Sequence, residues 1–294
     1  MSRAVIFATC ALACGCATII GASFDDTTLL DAAATSDASA TDAVFQDAPN
    51  DAAAPFTPAS IANLLFWVDA TRGVDVASDA GGPVTRWHDL SAFAHDAVPI
   101  AQGTNPPTLV PNQLNGLPVV HFTQAQLDAL GTTFQGPNAP NLTMFVVTRG
   151  DPNSALRFQT TAGAYPFVIF PYDATQDAGP VFELLVGTPQ QTYSAVRMEF
   201  DGGASVADFT WSANGTCATY SNGALVDQLS FLNPAIPTNQ TLYLGGVVPL
   251  LPPSTTVPFM NGDLAEAIVY ASVLDDADRQ AVEGYLKTKW GIFP

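Results

Sequence analysis

Pairs of carboxylates are the first chemistry to test for in this sequence, because a retaining glycosidase needs two carboxyl groups about 5–5.5 Å apart. Glu183 stands alone in VFELLVG, Glu266 stands alone in AEAIVYA, and Glu199 lies on a separate segment. Asp263 precedes Glu266 by three residues, so in a regular strand the two side chains would face opposite sides. The spacing therefore predicts a structural role for Glu266.

Nucleophilic and zinc chemistry have no compact signature either. The chain lacks a Gly-x-Ser-x-Gly elbow, and its histidines His88, His95 and His121 form no His-x-x-x-His pair. We expect these histidines to be hydrogen-bonded groups of the surface or the core. A triad assembled in space stays open, since triads are recognised by geometry. The sequence assigns no catalytic residue, and we predict that the protein is not an enzyme.

Aromatic side chains could instead stack on sugar rings. Trp87, Asp89 and Ser91 form a Trp-x-Asp-x-Ser block. In that block we expect Trp87 in the core, with Asp89 and Ser91 capping a turn through backbone N–H groups. The stacking candidates are the aromatic residues near predicted loops, namely Tyr165, Phe170, Tyr172 and Trp211. The alternative for each is a place in the core.

The charge balance excludes one class of partner. The 294 residues contain 9 Lys+Arg and 27 Asp+Glu, which gives a formal net charge of −18. Such a field repels phosphate backbones, so nucleic-acid binding is not expected. It also disfavours an anionic membrane surface, so any membrane attachment must be covalent or hydrophobic.

The first segment, residues 1–16, has the features of an export signal. The apolar run 4–13 is too short to span a bilayer as a helix, but it has the length of a signal-peptide core. The small residues and cysteines that follow resemble the lipobox of bacterial lipoproteins. On that resemblance Cys16 is the lipidated residue, with Cys14 as the alternative. A plain secretory signal remains open.

Residues 17–56 are expected to form a disordered tether. The stretch 25–55 is rich in Asp, Ala, Ser and Thr and contains no Lys or Arg. Like charges extend such a segment, and it has few apolar groups to offset the entropy of ordering. Together with the lipid anchor, this tether predicts an exported protein of the cell envelope, more specifically of the outer membrane or the cell surface.

Residues 57–294 are typical of one all-β domain that ends in a helix. Asn222-Gly223 predicts a tight hairpin, and Asp275 and Gly291 are the expected caps of a closing helix. That helix should pack the apolar stripe Ala277, Ala281, Val282, Tyr285 and Leu286 on a sheet, with Trp290 as an anchor. The predicted strands are 64–70, 118–122, 143–149, 167–170, 181–187, 208–213, 241–246 and 265–271. The lone body cysteine, Cys217, has no intramolecular partner in such a domain.

Several blocks in this order resemble bacterial concanavalin A-like, laminin-G-like jelly-roll domains. The resemblance covers about residues 57–294, and its most specific part is the closing strand and helix. The resemblance implies an antiparallel two-sheet jelly-roll sandwich. The blocks are LLFWVDATRGV (64–74), VTRWHDLSAFAHDA (84–97), LNGLPVVHF (114–122), ATYSNGALVD (218–227) and MNGDLAEAIVYASVLDDADRQAVEGYLKTKWGI (260–292).

The same resemblance guides the functional expectations. Related domains bind glycans, so we expect a non-enzymatic binding domain with a glycan as ligand. A divergent glycosidase and a purely structural envelope protein are the alternatives. Related domains also sometimes bind calcium, and by spacing Asp173 and Asp177 are the pair that would do so here. No other cofactor is expected.

Overall fold

A computed structural model describes residues 55–78, 81–100, 105–135, 141–151, 155–160, 169–173, 180–184, 194–197, 202–230, 240–246 and 259–293. At 135, 157–160, 169–173, 180–184, 194–197 and 240 the description is limited to the backbone. The predicted signal segment and residues 17–54 of the predicted tether, with Cys14 and Cys16, lie outside the described residues. Phe56, which the prediction put at the end of the tether, packs against the core and the Tyr285 ring. Within the described ranges, no helix has the length and apolar character needed to cross a bilayer.

Seventeen strands and one α-helix are described. The first eight strands are β1 (Leu64–Asp69), β2 (Val74–Val76), β3 (Gly82–Trp87), β4 (Ala97–Pro99), β5 (Thr108–Leu114), β6 (Leu117–Phe122), β7 (Leu130–Gln135) and β8 (Leu142–Asp151). The others are β9 (Leu156–Thr160), β10 (Ile169–Asp173), β11 (Pro180–Leu184), β12 (Ser194–Arg197), β13 (Ala204–Trp211), β14 (Thr216–Ser221), β15 (Ala224–Ser230), β16 (Gln240–Leu244) and β17 (Asn261–Tyr270). Helix α1 spans Asp276–Trp290, and short 3₁₀ turns occupy Pro58–Ser60 and Gln124–Gln126.

The strands form two main antiparallel sheets. The first sheet has the order β15-β14-β13-β8-β17-β6-β5, with β1 also paired to β17. The second sheet has the order β2-β3-β4-β7-β16-β9, and short pairing of β3 with β5 links the two. Strands β10, β11 and β12 form a separate three-stranded sheet. The predicted all-β antiparallel sandwich with a C-terminal helix is confirmed.

One hydrophobic core joins the two main sheets. Trp87 and Leu130 of the second sheet belong to the same buried cluster as Phe122, Met144 and Val269 of the first. All five side chains are at most 2% exposed. Since burial of one large apolar side chain contributes about 1.5–3 kcal/mol, this shared core is the main stabilising feature of the sandwich.

Local signals in the sequence place the hairpin and the helix ends correctly. Asn222 and Gly223 both have positive φ, 50° and 88°, as a two-residue hairpin turn between β14 and β15 requires. The Asp275 side chain accepts a hydrogen bond from the N–H of Asp278 at the start of α1. Gly291 ends the helix in the left-handed conformation.

The prediction for the buried face of α1 is partly wrong. Val282, Leu286 and Trp290 are buried as expected, but Ala277 is exposed, and the charged residues Arg279 and Glu283 are buried. A prediction from apolar spacing places every charged residue in solvent. The contact face that it predicts for α1 is therefore rotated relative to the observed one. Here the two charges pair with each other.

Candidate functional site

The outer face of the second sheet is the candidate site. Trp87 of β3 pairs with Ala97 of β4, which in turn pairs with Thr132 of β7, and all three side chains are buried. Because side chains alternate along a strand, the residues next to these three point away from the core. We call the outward residues of strands β2, β3, β4 and β7, with the loop before β4, the open face.

Charged and aromatic heterocyclic groups form a connected cluster on the open face. The His88 ring lies between two carboxylates, with Nδ1 3.1 Å from Asp96 Oδ2 and Nε2 3.0 Å from Asp75 Oδ2. Arg86 Nη1 is 3.5 Å from the same Asp96 oxygen. The side chains of Asp75 and Arg86 are more than half exposed. These planar polar groups present donors and acceptors to solvent.

An exposed aromatic pair lies beside this cluster in the loop before β4. The rings of Phe93 and His95 are parallel, with centroids 5.9 Å apart and planes within 2°. Phe93 is 55% exposed. Two contacts hold His95 in place. Its ring and the buried Phe134 ring pack edge to face, and its Nδ1 lies 3.3 Å from Thr133 Oγ1. We call Phe93 and His95 the aromatic platform.

The Asp89 carboxylate fixes the loop that carries the platform. Its Oδ1 accepts hydrogen bonds from the backbone N–H groups of Trp67 and Ser91, both at 2.9 Å. Its Oδ2 accepts from Ser91 Oγ at 2.7 Å and from the N–H of His95 at 2.9 Å. Asp89 is buried and Trp87 is fully enclosed. The predicted structural roles of Trp87, Asp89 and Ser91 are therefore confirmed.

The outer face of the first sheet is very different, because α1 covers it. We call this the covered face. Its centre is Glu266, which is 0% exposed and accepts hydrogen bonds from Trp67 Nε1 at 2.7 Å, Trp290 Nε1 at 2.8 Å and Lys289 Nζ at 2.7 Å. Burial raises the pKa of Glu266, and the nearby Asp69 raises it further, while Lys289 opposes both. The structure thus gives Glu266 the structural role predicted for it.

The expectation that Asp263 and Glu266 face opposite sides is wrong. The pairing of β17 with β8 shifts between Leu264 and Glu266, so one extra residue lies in β17 at this bulge. Asp263 is opposite Arg149 and Glu266 is opposite Val147, and residues 147 and 149 share one face of β8. The bulge therefore places both acids on the covered face.

A second group of buried charges lies beneath the first turns of α1. Arg279 contacts Asp208 of β13 at 3.3 Å and forms an ion pair with Glu283, and all three side chains are at most 5% exposed. Burial, followed by the charge of Glu283, raises the pKa of Asp208 well above its usual range, although Arg279 opposes this shift. This triad explains why a helix with a charged inner surface can dock on the sheet.

One histidine at the margin of the covered face has a base-like arrangement. His121 Nδ1 lies 2.7 Å from Asp263 Oδ1, and Arg149 Nε donates to Asp263 Oδ2 at 2.8 Å. The His121 side chain is 43% exposed. In the part of the chain that the structure describes, Nε2 of this ring has no hydrogen-bond partner. All three histidines are therefore hydrogen-bonded groups at or near the surface, as expected.

The other sequence-predicted site residues have different outcomes. Trp211 is 0% exposed, which places it in the core and removes it from the stacking candidates. Asp173 ends β10, where the structure describes backbone alone, and Asp177 lies outside the described residues. The calcium prediction therefore stays a prediction. Among the described residues, no three His, Cys, Asp or Glu side chains are arranged to hold a metal ion.

The remaining stacking candidates are not described at the level of side chains. Tyr165 lies outside the described residues, and Phe170 and Tyr172 belong to β10, where only the backbone is given. The aromatic platform was not predicted. A phenylalanine within the polar and small residues of SAFAH was the one available signal, because a large apolar side chain in such a loop has no strand partner to pack against.

The described fold belongs to the class of antiparallel β-sandwiches. No protein-family model matches the chain, and no curated protein matches its sequence. Solved structures do match. A GH54 α-L-arabinofuranosidase soaked with a cyclic sulfate inhibitor has a TM-score of 0.52 at 11% identity, over 71% of this chain and 51% of that one.

Two botulinum neurotoxin structures match in the same way. The binding domain of neurotoxin DC, in complex with rat synaptotagmin II, has a TM-score of 0.51 at 12% identity over 76% of this chain and 52% of that one. The second is a structure of neurotoxin type C, a toxin whose cell entry is described as dependent on two ganglioside molecules. It has a TM-score of 0.51 at 12% identity, over 76% of this chain and 51% of that one. The chain spans about half the length of these structures. At such identities the likeness establishes the fold alone.

Proposed function

We propose that this domain binds carbohydrate through the open face. The observation that carries the proposal is the exposed aromatic platform of Phe93 and His95, set beside the polar cluster of Asp75, Arg86, His88 and Asp96. The apolar face of a sugar ring packs on an aromatic ring, and planar polar side chains hydrogen-bond its hydroxyl groups. The open face combines both kinds of group on one surface.

The fold comparisons are compatible with this proposal. The name of one matched structure is that of an enzyme acting on arabinofuranosides, and the description of another refers to gangliosides. A β-sandwich with an exposed sheet face supports ligand binding without demanding a deep pocket. The proposal nevertheless depends on the platform itself, since fold alone does not define function.

We propose binding without turnover. Asp69 and Glu266 are neighbours across β1 and β17 on the covered face, are both buried, and share the ammonium group of Lys289. A substrate would have to displace the helix to reach them. On the open face, the His88 ring lies between the carboxylates of Asp75 and Asp96 and separates them.

The rival activity is hydrolysis, and one observation favours it. Asp263 orients the His121 ring, and the ring side chain is 43% exposed, which is an arrangement that a general base also shows. Release of defined oligosaccharides from a polysaccharide panel, abolished in His121→Ala, would favour this rival. Binding of the same polysaccharides without release of products supports the binding proposal.

The proposal includes an exported, lipid-anchored protein of the cell envelope. Its support is the short apolar run that ends in Cys-Gly-Cys and the acidic spacer that follows it. Cys16→Ser is expected to convert a membrane-associated protein into a soluble exported one, because the attached acyl chains provide the anchor. Mass spectrometry of the mature N-terminus is the measurement. An unmodified N-terminus in the native chain would contradict lipidation.

The binding test compares two equally exposed residues on different surfaces. Phe93 in the platform and Leu225 in β15 are both 55% exposed. Phe93→Ala should abolish retention of the purified full chain on immobilised polysaccharide, whereas Leu225→Ala should retain binding. Equal retention of both variants would contradict the assignment of the platform, and the absence of retention for the native chain across the panel would contradict carbohydrate binding.

A further inference from the structure

We infer that the open face binds an internal segment of an uncharged polysaccharide, laid across strands β7, β4, β3 and β2. This inference rests on the proposed function and specifies its ligand. The four strands are consecutive neighbours in the second sheet. The functional groups therefore form a row across the strands, which a chain molecule can follow.

The length of the row exceeds that of a single sugar. Neighbouring strands are about 4.8 Å apart, so the backbones of β7 and β2 are separated by about 14 Å. Polar groups mark the whole row. Thr133 lies on β7, Asp96 directly precedes β4, Arg86 lies on β3 with His88 directly after it, and Asp75 lies on β2. A monosaccharide on the platform would leave the far end of this row unused, whereas an oligosaccharide would contact all of it.

The shape of the face indicates the middle of a chain rather than its end. Recognition of a chain terminus requires side chains that enclose it on several sides. The residues at both ends of the row are instead solvent-exposed: Thr133 is exposed on β7, and the Asp75 side chain on β2 is 58% exposed. A polysaccharide can enter and leave such a surface along the row.

The charges of the row indicate an uncharged ligand. Asp75 and Asp96 face the row, and Arg86 is its one permanently charged cation, already 3.5 Å from Asp96. The whole chain has a formal charge of −18. A sugar with a carboxylate or sulfate group would meet these acids without a free cation to pair with, which is unfavourable. Hydroxyl groups can donate to the carboxylates and accept from Arg86.

The test measures affinity against chain length and charge by calorimetry on the purified full chain. The probes are neutral gluco-, manno- and galacto-oligosaccharides of one to six units, together with oligouronates. We expect the dissociation constant to fall roughly tenfold or more between one and four units, then to level off. Blocking both ends of the longest neutral ligand should leave affinity unchanged, and oligouronates should bind at least roughly tenfold more weakly.

Matched variants separate the row from the platform. Asp75→Ala, at the far end, should reduce affinity for the hexamer while leaving affinity for the shortest bound ligand unchanged. Leu225→Ala should change neither. Equal affinity for one and six units, loss of binding on blocking the ends, or preference for oligouronates would overturn this inference while leaving carbohydrate binding intact. If no carbohydrate binds at all, the proposed function itself is overturned.

Discussion

The covered face and the open face both carry acidic and basic side chains, but these are enclosed on the covered face and exposed to solvent on the open face. On the covered face, Glu266 and Asp208 are enclosed and receive their hydrogen bonds from Trp, Lys and Arg groups of the protein. On the open face, Asp75 and Asp96 hold His88 in place but remain in contact with solvent. The difference is the presence of α1, which converts one sheet surface into an interior and leaves the other available to a ligand.

Removal of Lys289 is expected to have the largest effect on stability. Its ammonium group lies 2.6 Å from Asp69 and 2.7 Å from Glu266. Lys289→Met would leave the buried Glu266 carboxylate without its cation and Asp69 with Arg72 alone, which should lower the free energy of unfolding by about 3–5 kcal/mol. Urea denaturation measures this change.

Lys287 on the same helical turn is the matched control. Its Nζ is 3.9 Å from Glu283 Oε2, so Lys287→Met should cost only about 0–1 kcal/mol. An equal decrease in the free energy of unfolding for the two lysine variants would mean that the ion pairs of Lys289 contribute no more than that of Lys287.

The apolar part of the helix contact should have the next largest effect. Leu286 is 0% exposed on α1, so Leu286→Ala should lower the free energy of unfolding by about 2–5 kcal/mol through lost transfer energy and the cavity left behind. Val273→Ala, at a 41% exposed position just before the helix, should stay within about 0.5 kcal/mol of the native chain. A melting temperature unchanged in Leu286→Ala would contradict the docking of α1.

The covered face also predicts how stability depends on pH. Burial raises the pKa values of Asp208 and Glu266 above those of unfolded carboxyl groups. The folded protein then retains protons that the unfolded chain has lost, so these groups favour folding most at low pH and lose that contribution as pH rises through their folded pKa values. Their part of the stability should therefore increase as the solution is acidified from neutral pH.

Asp208→Asn is the variant that tests this sign. An amide does not ionise, so the variant should be less sensitive to pH than the native chain over the range between the ordinary carboxylate pKa, about 3.9, and neutrality. Denaturant midpoints measured across that range provide the comparison. Parallel profiles for the two proteins would show that Asp208 does not contribute.

A substitution on the open face is expected to change stability the least. Phe93→Ala should alter the free energy of unfolding by no more than about 0.5 kcal/mol, because the side chain is exposed and its loop is fixed by Asp89 instead. Thermal denaturation measures this directly, beside the binding assay. A loss of several kcal/mol would mean that the platform is part of the folding core, and the contrast between the faces would fail.

The first sheet was predictable because its strands are long runs of β-branched and aromatic residues. Strands β6, β8 and β17 overlap the predicted segments. In the second sheet, β3 and β4 were not predicted, since their sequences GPVTRW and AVP contain proline with few apolar residues. The edge strand β5 of the first sheet, TLVPNQL, was missed for the same reason. The strands that carry the candidate site are thus the ones with the weakest local signal.

The side-chain arrangement was less predictable than the strands. The bulge in β17 leaves no mark in the sequence, so the spacing of Asp263 and Glu266 was misinterpreted. The buried Arg279 depends on Asp208, which is 71 residues away. The aromatic platform arises from two loop residues, of which His95 contacts the distant Thr133 and Phe134 and Phe93 stacks on His95. Pairings of this kind are set by tertiary structure, and local periodicity does not contain them.

The position of Asp89 has a consequence for how this scaffold can change. Along the edge of β1 not paired with β17, its carboxylate accepts from the N–H of Trp67, and the neighbouring Leu90 and Ser91 complete the contacts with that strand. The Asp89 carboxylate holds the loop at Ser91 and again at His95, and between them the N–H of Phe93 donates to Ser91 Oγ at 3.2 Å. Residues 92–94 form a short insert between two fixed points. Selection can therefore alter the composition of that insert, and with it what the surface recognises, without changing the packing of the sandwich beneath.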